Sequence, residues 1–402
     1  MQVERPTRPA SLLTFWAAVL GTFSLFFIPA FIIRPFKYQA PFALSMAMAL
    51  KRYAPVLTLI LAVVALCVAL VLWKRSSILL RVFMVIGLVL ACGSATMSRM
   101  NYFEWMFHPI VSPGFTSASS AKLDAAEMVM AVRFGNDARA YPIVQMAYHH
   151  VFNDEVGGTP IVVTYCTLCH TGLVWKSTVN GRVLHFYLAG INNQNFLMRD
   201  RETGTWWQQV SGKALLGPLK GATLERVVSD EITFDTWRTE FPAGQVLAPV
   251  EKYSSKYEKD WETSVGKLPV VVSFPGQGLF DRDVVIGISV GGQSRAYPIG
   301  TLQKASPVHD QVGGIPILLV VGPDGKSIRT FVSRIEGADL ELFKNSESNA
   351  WSLMDSTGSE WNFQGCAASG PHTGKCLEQI VFLKDYWFDW RNYNPSTTVY
   401  RH

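Results

Sequence analysis

The chain carries a single Cys-x-x-Cys, in the run Cys166-Thr167-Leu168-Cys169-His170, and four of its eight histidines, His149, His150, His170 and His185, lie between positions 149 and 185. Two thiols three residues apart can share a soft metal, exchange with a disulfide, or hold a haem through two thioether bonds. As a metal centre, Cys166, Cys169 and His149 form a Cys2His set suited to copper(I) or zinc, with His170 or His150 completing zinc's four positions. As a redox pair, the more accessible thiol attacks a disulfide, and a neighbouring imidazolium favours its thiolate. The usual helix N-terminus is missing, because Thr171 to Trp175 reads as a strand. As a haem c site, Cys166, Cys169 and His170 match C-x-x-C-H in full. A non-catalytic alternative is a ligand-binding module whose cleft is lined by Trp206-Trp207 and Asn192-Asn193-Gln194-Asn195.

The elements that deliver these groups occur twice. The β-branched run Ile161 to Thr164 reads as a buried strand ending at the first thiol. Ser294-Arg295-Ala296-Tyr297-Pro298-Ile299 repeats residues 138–143, and His309 to Ile317 repeats Asn153 to Ile161, both at an offset of 156. An unchanged offset implies an internal duplication. At that offset the thiol loop falls on Gly322-Pro323-Asp324-Gly325, a turn signature with Pro at its second position. Cys166 and Cys169 are therefore expected at the two ends of a tight turn, with Cα atoms within about 7 Å. The second segment has neither cysteine, and Ala305 and Ser306 stand where His149 and His150 stand in the first. The fold does not need the thiols or these imidazoles, which points to a functional site.

Three apolar stretches, Leu12 to Ile33, Pro55 to Trp73 and Ile78 to Met97, each match the roughly 20 residues that cross a bilayer. Residues 1–99 therefore read as a membrane anchor, with lipid as a partner. Residues 100–124 read as a tether, 125–250 as a first β-rich repeat, 251–282 as a connection and 283–402 as a second, degenerate repeat. Of 36 Lys/Arg and 31 Asp/Glu, the first 99 residues hold ten and one, leaving 26 basic against 30 acidic residues in the remainder. That balance argues against a nucleic-acid partner. Basic residues flank the spans about equally on both sides, so charge does not set the orientation. Three spans place the large C-terminal part opposite the N-terminus. Cys366 and Cys376, ten residues apart in a Gly-rich segment, are candidates for a disulfide, which favours a periplasmic or extracellular location and an envelope redox or metal partner.

In the C-terminal part, Met128 to Phe134 with Arg139 to Pro142, and Leu173 to Thr178 with Arg182 to Leu188 around Asn180-Gly181, read as hairpins. Only Thr233 to Glu240 reads as a helix. The expected fold class is thus transmembrane α-helices followed by a mainly β part built from two repeats. Ala140-Tyr141-Pro142, His149, Asn153-Asp154, Val156-Gly157-Gly158, Thr164-Tyr165-Cys166-x-x-Cys169, Arg199-Asp200-Arg201-x-Thr203 and Trp207 together resemble the domain-of-unknown-function family 3179 of prokaryotes. The likeness covers about residues 125–250 well and the second repeat more faintly. It implies a shared fold and a shared site at His149, Cys166 and Cys169. The chain departs from the family's pattern at Thr167, commonly Pro there, and at His170, commonly Gly.

Overall fold

In the computed structural model, which describes residues 8–34, 37–110, 113–274, 277–345 and 351–401, the chain forms two units: residues 1–106 with 189–193, and residues 107–188 with 194–402. Three helices, Arg8–Ile32, Pro41–Trp73 and Ile78–Met97, dominate the first, and each is long and apolar enough to cross a membrane. Their outward faces are apolar, with Val56, Ile60, Val63, Leu70 and Val71 all exposed. A water-soluble bundle would reverse that pattern. Small residues make the inner contacts: Ala62, Ala65 and Ala69 pack with Phe15 and Val19, and a Cβ on Gly87 would come within 2.9 Å of the Phe15 ring. Close approach through small side chains is how helices associate in lipid, where burying apolar surface gains nothing. The second helix starts at Pro41, well before the Pro55 expected from the apolar run. Lys51 and Arg52 interrupt the hydropathy there without interrupting the backbone ladder, and Thr58 Oγ1 donates to Ala54 O at 2.6 Å beside the internal proline.

The second unit is built mostly of short strands. Met128–Phe134 and Asp137–Pro142 form a hairpin that leads into the helix Ile143–His149, then the strands Val151–Val156, Thr159–Cys166 and Thr171–Lys176. The order recurs in Val284–Val290, Gln293–Pro298, helix Ile299–Ala305, Val308–Val312, Ile315–Val321 and Ile328–Val332. In each half the last short strand returns to pair in parallel with the second of the series, Gln245 opposite Arg139 and Thr398 opposite Arg295. The helix Ile143–His149 escapes the sequence reading because Ile143 and Val144 are β-branched; Pro142 starts it, and Ile143 and Met146 bury one face. Phe115–Ser117, expected in a tether, is an edge strand paired with Gln245–Leu247.

Period-2 alternation on Met128–Phe134 feeds two cores. Val129 and Ala131 pack with Leu318, Val320, Phe331 and Trp361 of the second half. Met130 and Val132 pack with Tyr141, Phe152, Ile161, Val163 and Tyr165 of the first. The Arg-x-Tyr pairs are pins between strands of different sheets: Tyr141 donates to Asp154 at 2.7 Å and Tyr297 to Asp310 at 2.8 Å, with Arg139 and Arg295 paired to the same carboxylates. Asp200, fully buried, accepts from Thr203, the Thr205 amide and Trp207 Nε1. Asp355 does the same for Thr357, the Ser359 amide and Trp361 Nε1.

The Gly157-Gly158 turn joins two of these strands with φ of +55° and +74°. A Cβ on Gly157 would lie 2.7 Å from Phe134 O, whereas one on Gly158 would meet nothing within 4 Å. Gly158→Ala is expected to cost about 1–2 kcal/mol, the ordinary left-handed penalty, and Gly157→Ala clearly more. Thermal unfolding of the two variants of the full chain, followed by tryptophan fluorescence, checks the order.

Candidate functional site

The strand Thr159–Cys166 is buried from Ile161 onward. Its odd positions Ile161, Val163 and Tyr165 fill the first half's core, which leaves Val162, Thr164 and Cys166 on the opposite face. Cys166 pairs with Thr171 on the returning strand, so residues 167–170 form the turn, and His170 takes the left-handed conformation at φ +64°. The two Sγ atoms stand 2.6 Å apart. Both side chains are buried, and both sulphurs are within reach of Gln194 O, at 3.6 Å from Cys166 and 3.3 Å from Cys169. Gln194 is itself held by Pro269 O and the Val271 amide.

The second half supplies what faces the thiols. The strand Leu383–Tyr386 and the helix Trp387–Tyr393 form a corner whose Tyr386 amide donates to Cys169 O at 2.8 Å. That contact brings two carboxyls to the sulphurs. Asp385 Oδ1 accepts from Thr171 Oγ1 at 2.9 Å. Asp389 Oδ2 accepts from Asn195 Nδ2 at 3.3 Å, an amide that also points at Cys169 Sγ (3.5 Å) and Gln209 Oε1 (3.0 Å). Both aspartates are fully buried, and Asp385 Oδ2 and Asp389 Oδ1 have no hydrogen-bond partner among the described residues. Burial pushes the Asp389 carboxyl up to about 7, and it pushes Asp385 and the Cys169 thiol well above their ordinary ranges. Arg282 closes the turn from outside, donating to Leu168 O and Leu268 O.

The histidines are turned elsewhere. His149, at the end of its helix, meets His108 O through Nδ1 at 2.6 Å and the Tyr257 hydroxyl through Nε2 at 2.9 Å. His150 Nδ1 meets Tyr165 O at 2.8 Å, and burial lowers this ring's pKa to about 4. His170 Nε2 lies 2.8 Å from Glu262 Oε1, and the ring packs among Trp261, Tyr386 and Tyr165. Among the described residues no three His, Cys, Asp or Glu side chains are grouped so as to hold a metal ion. A cleft of about 330 Å³ opens beside His170. Charged residues, Glu127, Lys259, Lys326 and Lys384, and apolar ones, Met128, Ile143 and Trp261, line it, and neither cysteine does. Trp206 and Trp207 are core residues, buried with the Trp207 indole tied to Asp200, and do not line a cleft. Cys366 and Cys376 are joined as a disulfide.

Asp385 and Asp389 were not among the residues singled out from the sequence. The signal available is a substitution between the halves. The corner Asp230–Thr233 with helix Phe234–Glu240 corresponds to 383–393 at an offset of 153, so Asp385 stands where the first half has Ile232, and Asp389 where it has Thr236. The counterpart turn completes the comparison. Asp324, between Gly322 and Gly325, accepts from Thr233 Oγ1 at 2.6 Å and Thr236 Oγ1 at 3.0 Å.

An unfolded aspartate releases its proton near pH 3.9, while Asp389 in the folded chain holds its proton to about 7. Between those values the folded state binds more protons, so this group's contribution to stability falls as pH rises, by at most about 1.4 kcal/mol per pH unit. Asp385 acts in the same direction. Asp389→Asn is expected to flatten the decline between pH 4 and 7 and to leave a more stable protein at neutral pH. Thermal unfolding of both proteins across that range measures it.

No curated protein and no solved structure matches the chain. The family described as a protein of unknown function, DUF3179, matches residues 107–397, which takes in both halves of the β-rich unit, and the chain belongs to that family.

Proposed function

We propose that the β-rich unit is a dithiol–disulfide redox module, with Cys166 and Cys169 as its two-electron couple, held at a membrane by the three helices and facing an oxidising compartment. The observation that carries this reading is the 2.6 Å between the two Sγ atoms. Two thiolates on one tetrahedral zinc, each about 2.3 Å from the ion, stand roughly 3.7 Å apart. Bonded sulphurs are about 2.05 Å apart. The pair is set closer than shared metal ligands and near to bond formation, and the imidazoles that would complete a ligand set are engaged with other partners. The Cys366–Cys376 disulfide supports the oxidising side, since such bonds persist outside the reducing cytosol. Burial of both thiols favours a small disulfide as the direct co-reactant, or an envelope partner admitted when the segment carrying Arg282 moves off the turn.

The test is a redox titration of the full-length protein in detergent. It is equilibrated at stepped thiol/disulfide poise, alkylated, and read by mass for free Cys166 and Cys169, with metal content measured on the same samples. The two thiols are expected to disappear together at one midpoint with a two-electron slope, tenfold for about 30 mV, and Cys169→Ser should abolish the transition without lowering the unfolding temperature appreciably. Stoichiometric zinc or copper protecting both thiols would replace this reading with a metal site. For the location, a reporter active only in the cytoplasm and fused at the C-terminus should stay silent; activity would overturn it.

A further inference from the structure

A buried thiol cannot become a thiolate without an acceptor for its proton, and burial disfavours the charged form. At Cys166 and Cys169 the usual sources of help are absent. The helix that follows the corner, Trp387–Tyr393, is only seven residues long and belongs to the other half, and the imidazoles are turned to other partners. Arg282 is the cation on this face, and its Nη atoms are spent on two backbone carbonyls. Gln194 O can accept a hydrogen bond from either thiol but cannot take the proton. What remains is the carboxyl pair: the Asn195 amide that donates to Asp389 Oδ2 at 3.3 Å also points at Cys169 Sγ at 3.5 Å, which sets thiol and carboxyl side by side. Two fully buried carboxyl oxygens without a donor among the described residues, Asp385 Oδ2 and Asp389 Oδ1, are costly as spectators. They are what a site needs if a proton is to arrive there.

We infer that Asp389 accepts the Cys169 proton as the Cys166–Cys169 disulfide closes and returns it when the disulfide is reduced. The inference rests on the redox reading of the same site. The titratable and charged groups that act on Asp389 are Cys169 from the turn, Asp385 from the neighbouring strand and Tyr393 from its own helix; Cys166 acts on Asp385, and Tyr386 and Arg282 act on Cys169. Asn195 fixes the Asp389 carboxyl by donating to Oδ2, and burial sets its affinity for a proton near neutrality, where an acid–base group works best. Oxidation by a small disulfide, RSSR, proceeds in two displacements. Cys166 Sγ attacks one sulphur of RSSR, its S–H proton passing to the departing sulphur, so that the mixed disulfide Cys166–S–SR forms and RSH leaves. The Cys169 S–H bond then breaks toward Asp389, the Cys169 sulphur attacks Cys166 Sγ, and the Cys166–SR bond breaks to expel a second RS⁻. The two thiols lose two electrons and RSSR gains them; the Cys166 proton leaves on the first released thiol, the Cys169 proton stays on Asp389, and the second half leaves as RS⁻.

The experiment uses the reduced full-length protein and dithiodipyridine, whose two halves are released as chromophores in successive steps. Asp389→Asn should leave the first release unchanged and slow the second about 100-fold near neutral pH, with the deficit shrinking as pH rises and Cys169 ionises unaided. Equal second-step rates in the two proteins across the pH range would overturn the assignment of Asp389 and leave the redox reading standing. Absence of any second release from the unaltered protein would sink the redox reading itself. Should Asp389→Asn fail to fold, oxidised-minus-reduced infrared difference spectra of the unaltered protein decide: a protonated-carboxyl band that changes with the state of the disulfide is expected, and a spectrum without one overturns the proposal.

Discussion

Each half of the β-rich unit docks its strand-to-helix corner onto the turn of the other half, and the site exists because of that exchange. The Tyr386 amide bonds Cys169 O, and the Thr233 amide bonds Ser327 Oγ in the reciprocal position. Behind these contacts lies a shared core in which Val129 and Ala131 meet Leu318, Val320 and Phe331. A strand buried on both faces has no freedom of register, since a slip of one residue would exchange its two cores. The thiol turn and the carboxyl-bearing corner are therefore positioned by packing at a distance from either.

The two turns also show how the surroundings decide the state of a carboxyl group. Asp324 and Asp389 are the same side chain in corresponding contacts between turn and corner. Burial opposes ionisation of Asp324, but Ser327 and Thr233 donate to it, and the balance holds it down at about 2. Burial of Asp389 meets a weaker set of donors and leaves it near 7. Hydroxyls from the facing corner thus help make the Asp324 turn an anion site, and burial with fewer donors makes the Asp389 corner a place where a proton can reside.

Legibility in the sequence followed contact distance. The spans, the thiol turn, the recurrence at 156 residues and the Thr233-capped helix are local patterns and could be read directly; Thr233 Oγ1 does accept from the Thr236 amide. The carboxyls could not, because Thr171 meets Asp385 across 214 residues of chain. Nearness in sequence misled for the imidazoles. His149 ends a helix facing Tyr257, and His150 takes φ +62°, so neither shares the face that carries Cys166. The motif residues Arg139, Tyr141, Asp154, Asp200 and Trp207, which carry the family likeness, hold strands together and do not approach the thiols.

Thiols on one half and acids on the other make the polypeptide behave as a heterodimer tied in tandem. In a homodimer of the first half alone, each thiol turn would meet Ile232 and Thr236; in a homodimer of the second, each pair of carboxyls would meet a glycine turn. On the redox reading neither half carries a whole site. On the redox reading, the effect of a change at positions 166 and 169 is expected to depend on what positions 385 and 389 hold.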